Sequence, residues 1–159
     1  ENKFANLFSG TQIVSEGDKI FVSSNESTYI INDNTGNILF KKNFSSKIKP
    51  LIQNNYYFCI TKNDYLLAMN ITNGNIIYSL RLKDELNKQF NLKDTKLKNI
   101  FIANNKLFVF FENSNFLEFD ISGNLLNMSK LPSKIKSNLI FIDKEIYYLN
   151  NKKKLVVVR

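Results

Sequence analysis

The stretch LAMNITNGNIIY, residues 67–78, decides the fold of this chain because two variants of it recur along the sequence. One variant, YIINDNTGNILF, occupies residues 29–40, and the other, FLEFDISGNLL, occupies residues 116–126. Each variant has a run of β-forming residues that ends in Asn or Asp, then a glycine, and then a second β-forming run. The glycines are Gly36, Gly74 and Gly123. Their spacings of 38 and 49 residues indicate a repeat architecture.

Two further short runs stand upstream of each of these turns and complete a unit of four strands. The upstream pairs cover residues 11–15 and 19–23, 50–53 and 56–61, and 99–103 and 106–111, and a fourth pair covers 138–142 and 145–150. Asn, Asp and Gly separate the runs of these pairs, and such residues favour tight hairpin turns because they tolerate positive φ. Four antiparallel strands in roughly 40 residues form one blade of a β-propeller.

The sequence therefore predicts an all-β fold of β-propeller blades, each with four antiparallel strands. The predicted blades cover approximately residues 11–44, 50–82, 99–131 and 138–159, the last together with residues 1–8. A β-sandwich is the alternative, since it also has short strands with frequent turns. A sandwich gives no reason, however, for the same Asn-Gly turn to recur at the same place in each group of four strands.

The two ends of the chain predict how the fourth blade is closed. The last run, residues 154–159, corresponds to the third strand of its unit. Residues 1–8, ENKFANLF, align without a gap on residues 37–44, NILFKKNF, which are an outer strand. We expect Phe4 to Phe8 to pair as an outermost strand, either with this last run or with a strand of another chain, because such pairing removes an exposed sheet edge.

This count gives three full blades plus one closed by the N-terminal strand. The blades form either a complete four-bladed ring or part of a larger propeller of about seven or eight blades. We favour the larger ring, since four-bladed rings are rarer and the chain begins at Glu1 without a Met or a leader.

One insertion, residues 83–98, interrupts the repeat and is predicted to be a loop with a short helix. Leu82, Leu86 and Phe90 recur at a helical spacing of four residues. The segment either packs back on the edge of its blade or docks a partner, because loops between blades are where recognition is placed. The candidate partner-binding residues are Lys83, Asp84, Glu85, Leu86, Phe90, Lys93 and Lys96.

Composition limits the possible chemistry. The chain has no His and a single Cys, so the commonest general base and an internal disulfide are both excluded. Cys59 lies in an apolar run and is predicted to be a buried small side chain. Glu118 and Asp120 are neighbours on one face of a strand, without a second acidic cluster to complete a metal site. We therefore expect no catalytic residue, metal or cofactor.

The net charge of +8 comes almost entirely from lysine, since Arg81 and Arg159 are the only arginines. The lysine clusters are Lys47 and Lys49, Lys134 and Lys136, and Lys152 to Lys154. They fall in predicted turns, where solvated lysines are expected, and an anionic partner is the alternative. Nucleic acid is not expected, because its binders add arginine and exposed aromatic side chains. No apolar run approaches the roughly 18 residues of a membrane-spanning helix.

Residues 67–78 resemble the PQQ-like (pyrroloquinoline-quinone-like) repeat, in which a strand ending in Ala-Leu-Asp is followed by a Thr-Gly turn and a strand that reaches a Trp. Asn70 stands at the Asp position and Tyr78 at the Trp position. In the first unit Asn32, Gly36 and Phe40 match the same pattern. The resemblance implies a propeller whose turn aromatics fill the space between neighbouring blades.

Two branches of this family imply different functions. The first, the PQQ-dependent quinoprotein dehydrogenases, frames a quinone and a calcium ion with tryptophan and often a vicinal cysteine pair, and this chain has no Trp and one Cys. The second is the non-catalytic outer-membrane-protein assembly lipoproteins, the BamB family. We expect the BamB-like role of a non-enzymatic, protein-binding scaffold in the periplasm or cell envelope, with a propeller part of a quinoprotein dehydrogenase as the alternative. An outer-membrane assembly complex, the remaining blades or a second copy are the expected partners.

Overall fold

The computed structural model describes residues 11–86, 96–143 and 145–159. The chain divides into two compact units, Glu1–Leu82 and Lys83–Arg159. Residues 1–8, predicted to close the fourth blade, lie outside the described residues. Within the described ranges, no helix is both long and apolar enough to cross a membrane.

The first unit contains two antiparallel sheets of four strands each, and the strands of each sheet pair in chain order. The first sheet consists of β1 (Val14–Glu16), β2 (Lys19–Ser23), β3 (Thr28–Asn32) and β4 (Ile38–Lys42). The second consists of β5 (Leu51–Gln53), β6 (Tyr56–Ile60), β7 (Tyr65–Asn70) and β8 (Ile76–Arg81). The short helix α1 (Leu82–Leu86) follows β8 directly and overlaps the segment 83–98, for which a short helix is predicted.

The second unit contains one sheet of four strands and one of three, again paired in chain order. The third sheet consists of β9 (Leu97–Ala103), β10 (Lys106–Phe111), β11 (Asn115–Asp120) and β12 (Leu125–Lys130). The fourth consists of β13 (Ile140–Ile142), β14 (Glu145–Leu149) and β15 (Leu155–Val158). Four-stranded antiparallel meanders are the blades of β-propellers, and the predicted fold class is confirmed. We call the four sheets the first to fourth blades.

The glycine turns between the third and fourth strands form as the sequence predicts. Gly36, Gly74 and Gly123 have φ of 71°, 70° and 93°, which L-residues with a side chain rarely adopt. The last residue of each preceding strand closes its turn with its own side chain. The Oδ1 atoms of Asn32, Asn70 and Asp120 accept hydrogen bonds from the backbone N–H groups of Thr35 at 2.9 Å, Thr72 at 2.8 Å and Asn124 at 2.9 Å.

The core of the first unit lies between its two blades. Phe21 of β2 stacks on Tyr57 of β6 with ring centroids 5.2 Å apart. Met69 and Ile30 are fully buried in the same cluster, and Phe40 packs against it. Side chains of alternate residues point to opposite faces of a strand, so a blade packed on its neighbour buries apolar residues from β2, β3, β6 and β7 together.

The core of the second unit is more aromatic. Phe101 stacks on Phe110 with centroids 5.1 Å apart, and Phe110 stacks on Phe116 at the same distance. Phe141 of the fourth blade contacts the Phe101 ring at 5.1 Å. These pairs join β9, β10, β11 and β13, and aromatic contacts of this kind add to the free energy of burial.

Candidate partner-binding surface

The predicted docking residues fall into three groups. Lys83 and Asp84 are exposed and Glu85 is half-buried on α1, where they are consecutive in sequence. Leu86 ends the same helix. The Leu86 side chain and the whole of Phe90 and Lys93 lie outside the described part of the chain. Lys96 is exposed and directly precedes β9. The described part of the segment therefore places three charged groups on one helix and the fourth at the beginning of the third blade.

The start of α1 is fixed to the second blade. Leu82 is 2% exposed, and its backbone N–H donates to the carbonyl oxygen of Asp64 at 3.0 Å. Burial of Leu82 anchors the helix, while Lys83 and Asp84 remain available to solvent. Exposed charged side chains on a short anchored helix can contact a partner without disturbing the buried core of the blade.

A pocket of about 430 Å³ lies within the second unit, at the end of the blades where β10 turns into β11. We call it the lysine pocket. Its lining residues are Lys96, Lys98, Glu112, Asn113, Lys134, Ile135, Lys136 and Asn151. They come from the start of the third blade, the β10–β11 turn, the link between the third and fourth blades, and the β14–β15 turn. Four lysines and one glutamate give this surface a strong positive charge.

The link that carries Lys134 and Lys136 is tightly held. Between these two lysines, Ile135 is 7% exposed and belongs to the core of the second unit. The Tyr148 hydroxyl donates to the carbonyl oxygen of Ser133 at 3.0 Å, and the Lys136 N–H donates to the carbonyl oxygen of Leu149 at 2.9 Å. Both lysines are exposed on either side of this buried residue.

The other side of the lysine pocket is fixed by the third blade. The Glu112 N–H donates to the carbonyl oxygen of Lys96 at 2.9 Å. The Nζ atom of Lys98 donates to the carbonyl oxygen of Lys136 at 3.3 Å, which joins the two sides. Among the described residues, none of the four pocket lysines forms an ion pair. Glu112 is the one carboxylate that the described residues contribute to the lining of this pocket.

The sequence pattern identifies some residues of this site but does not predict that they lie together. Lys134 and Lys136 are predicted as solvated turn residues and Lys96 as part of the insertion, and the structure brings all three to one pocket with Lys98. Lys98, Glu112, Asn113 and Asn151 were missed. The tetrapeptide SKIK occurs at residues 46–49 and again at 133–136, and it marks the two links between blades without giving their structural alignment.

The carboxylates and the thiol considered for chemistry are engaged in the fold. Glu118 accepts a hydrogen bond from Lys106 Nζ at 2.6 Å. Hydrogen bonds from Asn124 hold the pKa of Asp120 below its usual value. Cys59 is fully buried, as predicted, and burial raises the pKa of its thiol to about 12. In the described parts of the chain, no three His, Cys, Asp or Glu side chains are grouped closely enough to hold a metal ion.

No family model and no curated protein matches the chain. Several solved structures, in contrast, are similar to it. BamB from Moraxella catarrhalis superimposes with a TM-score of 0.71 and 14% identity over 92% of this chain and 42% of BamB. The computationally designed protein Ika4 gives a TM-score of 0.67 with 12% identity, covering 92% of this chain and 88% of Ika4.

The chain is built from β-propeller blades. A third similar structure, the computationally designed protein Ika8, has a TM-score of 0.66 and 12% identity over 91% of this chain and 44% of its own. At these identities the likeness establishes the fold. The chain spans less than half the length of BamB and of Ika8, and most of Ika4.

Proposed function

We propose that this chain is a non-enzymatic protein-interaction scaffold, the propeller of a bacterial envelope assembly factor similar to BamB. The observation that carries the proposal is the superposition on BamB over 92% of the chain. The proposal includes a periplasmic location and a larger ring of about seven or eight blades, for which the 42% coverage of BamB is the support.

The use of polar side chains in the blades supports this role. Asn32, Asn70 and Asp120 close turns, and Glu118 pairs with Lys106 across two strands. Polar side chains that form hydrogen bonds in turns and between strands keep the blade surface in a fixed shape. A fixed surface lowers the entropy cost of binding, which is what a scaffold requires.

The insertion is the proposed docking element. The docking residues are Lys83, Asp84, Glu85, Leu86, Phe90, Lys93 and Lys96. Support comes from α1, which exposes Lys83 and Asp84 from a helix anchored by Leu82. Loops that interrupt a regular scaffold are favoured binding positions because they vary without cost to the core.

Affinity capture from bacterial envelope extracts tests the scaffold and its docking element together. The wild type is compared with a variant whose residues 83–96 are replaced by a Gly-Ser linker of equal length, and bound proteins are identified by mass spectrometry. We expect outer-membrane assembly proteins in the wild-type sample and their loss from the linker variant. A control variant, Lys41→Gln with Lys49→Gln, changes two exposed lysines elsewhere in the chain.

The two parts of the proposal fail separately. Equal recovery of every partner by the linker variant would remove the docking role of the insertion but leave the scaffold. Recovery of no envelope protein by the folded wild type would remove the scaffold role itself. Melting temperatures of all variants show whether each remains folded.

A further inference from the structure

We propose that the lysine pocket of the second unit binds an acidic segment of a protein partner, through carboxylates that pair with Lys96, Lys98, Lys134 and Lys136. The inference rests on the proposed scaffold function and names the chemistry of the partner. It also places binding outside the insertion, apart from the shared residue Lys96. Three observations carry it: a comparison with the first unit, the rigidity of the pocket, and the composition of its lining.

The links between blades in the two units are structurally equivalent. In the first unit, the Lys47 N–H donates to the carbonyl oxygen of Ile60 at 2.7 Å. In the second unit, the Lys136 N–H donates to the carbonyl oxygen of Leu149 at 2.9 Å. An isolated bridge precedes each bond, from Ser46 to Thr61 and from Ile135 to Asn150. Lys136 therefore occupies the position of Lys47.

The carboxylate that neutralises this position in the first unit has no counterpart in the second. Lys47 Nζ lies 2.6 Å from Asp64 Oδ1. Asp64 has a φ of 61° and donates its N–H to the Thr61 carbonyl at 2.9 Å, and Lys153 has a φ of 58° and donates to the Asn150 carbonyl at 2.9 Å. Lys153 thus stands where Asp64 stands in the first unit, and an ion pair is replaced by a second positive charge.

The pockets at the corresponding ends of the two units also differ in charge, and the one in the second unit is the more positive. The pocket at this end of the first unit, about 470 Å³, is lined by Lys62 and Glu26 among its charged residues. Lys62 donates to the backbone and side-chain oxygens of Asn25 at 3.1 and 3.3 Å. The described residues that line the lysine pocket include four lysines instead of one, and Glu112 is their one carboxylate.

Positive charge gathered on a fixed backbone favours an anionic ligand. The Tyr148 hydroxyl and Leu149 carbonyl hold the link of Lys134 and Lys136, and Glu112 holds Lys96 by its N–H. Mutual repulsion of these ammonium groups is relieved when carboxylates enter between them, and little backbone entropy remains to be lost. Charge complementarity of this kind also accelerates association.

The lining favours carboxylates over nucleic acid. All four cations are lysines, point charges that pair singly with carboxylates, and the described lining residues include no arginine for bidentate contact with phosphate. Among the same described residues, none has an aromatic side chain on which a base could stack. A volume of about 430 Å³ lies within the range of small-ligand sites, which suits a few acidic residues of an extended segment.

Fluorescence anisotropy with a defined probe tests this inference. The probe is a fluorescein-labelled peptide of four Glu-Ser repeats, compared with a Gln-Ser peptide of equal length. We expect the wild type to bind the Glu-Ser peptide and the double variant Lys134→Gln with Lys136→Gln to bind it about tenfold more weakly, which corresponds to ~1.4 kcal/mol from two lost exposed pairs. Binding should weaken as the salt concentration rises from about 50 to about 300 mM, because the Debye length shortens over this range and screens the charges of exposed groups.

The matched control removes two positive charges from the first unit, one of them from Lys47, the counterpart of Lys136. Lys47→Gln with Lys62→Gln should change the affinity by less than about twofold, since neither side chain lines the lysine pocket. Equal binding by wild type and the Lys134/Lys136 variant, or equal loss in both double variants, would overturn the inference. So would stronger competition by inorganic phosphate or single-stranded DNA than by unlabelled Glu-Ser peptide.

The result is separable from the scaffold proposal. A chain that captures envelope proteins but does not bind the Glu-Ser peptide leaves the scaffold intact and removes only the acidic partner. A chain that binds the peptide but captures no envelope protein supports acidic-segment binding by the lysine pocket and overturns the proposed scaffold role in the bacterial envelope.

Discussion

The ring of Phe40 occupies the space that a side chain at Gly74 would need. A Cβ atom added to Gly74 would lie 2.9 Å from Cδ1 of Phe40 and 3.2 Å from Cε of Lys42. Phe40 is the aromatic residue after the first glycine turn, and Gly74 forms the turn of the next blade. The repeated motif therefore supplies both halves of a contact between neighbouring blades.

This contact predicts a larger loss of stability for Gly74→Ala than for Gly36→Ala. Both glycines have a φ near +70°, which costs an alanine about 1 kcal/mol in either place. Gly36 has nothing within 4 Å of an added Cβ, so it controls for backbone strain alone. The clash with Phe40 should add about 1–3 kcal/mol at Gly74, measured by urea unfolding. Equal losses for the two variants would contradict this account.

A second substitution isolates the steric part. Phe40→Leu in the Gly74→Ala background should recover part of the lost stability, because the smaller side chain leaves space for the new methyl group. In the wild-type background the same change should destabilise, since it removes an aromatic ring from the core of the first unit. The double-mutant cycle measures the coupling, and additive effects would show that the two residues do not interact energetically.

Cys59 should be chemically silent in the folded protein. Its thiol is fully buried, and burial raises its pKa from 9.0 to about 12, so almost no thiolate forms near neutral pH. We expect a disulfide reagent such as DTNB to react at pH 8 with one thiol per chain in urea and with none in buffer. Rapid reaction of the native protein would show that the blade opens or that the thiol is accessible.

The same burial predicts loss of stability at alkaline pH. Burial raises the pKa of the Cys59 thiol and also that of the Tyr57 phenol, so folding holds both groups in their protonated, neutral forms. Their contribution is complete below the pKa values of the unfolded chain and is lost as the pH rises above about 9. Melting temperatures should therefore fall between about pH 9 and 11, less steeply in Cys59→Ala. An unchanged slope in that variant would remove Cys59 from the explanation.

The hydroxyl of Tyr148 should support both stability and the lysine pocket. Tyr148→Phe removes the hydrogen bond to Ser133 and should cost about 1 kcal/mol in unfolding free energy. Because Ser133 precedes Lys134, a looser link should also weaken binding of the Glu-Ser peptide. Tyr56→Phe is the control, since it removes the same hydroxyl group from β6 of the first unit. Full peptide affinity in destabilised Tyr148→Phe would show that the link keeps its shape without this bond.

The sequence predicted the blades because their determinants are local. The run 19–23 is found as β2 with the same bounds, and Gly36, Gly74 and Gly123 form the predicted turns, since turn chemistry and strand pattern are read over a few residues. The predicted strand at residues 1–8 lies outside the described residues.

The lysine pocket was not predictable in the same way. It brings together residues from four separate turns and links, so its charge depends on tertiary packing. The two SKIK tetrapeptides also occupy positions that differ by two residues, because Ser46 bridges Thr61 whereas Ile135 makes the equivalent bridge to Asn150. Sequence identity alone would have paired Lys47 with Lys134, and the hydrogen bonds pair it with Lys136.

Lys153→Asp should convert the second unit to the charge pattern of the first. The new carboxylate would stand where Asp64 meets Lys47 at 2.6 Å, and it should pair with Lys136 and weaken Glu-Ser peptide binding by several-fold. Stability should not fall, since Asp accepts the φ of 58° at this position more readily than Lys. Lys152→Asp makes the same change of net charge at the neighbouring residue and should weaken binding less. If the two variants weaken binding equally, general electrostatics rather than the position of Asp64 governs the pocket, and the equivalence of the two units carries no functional meaning.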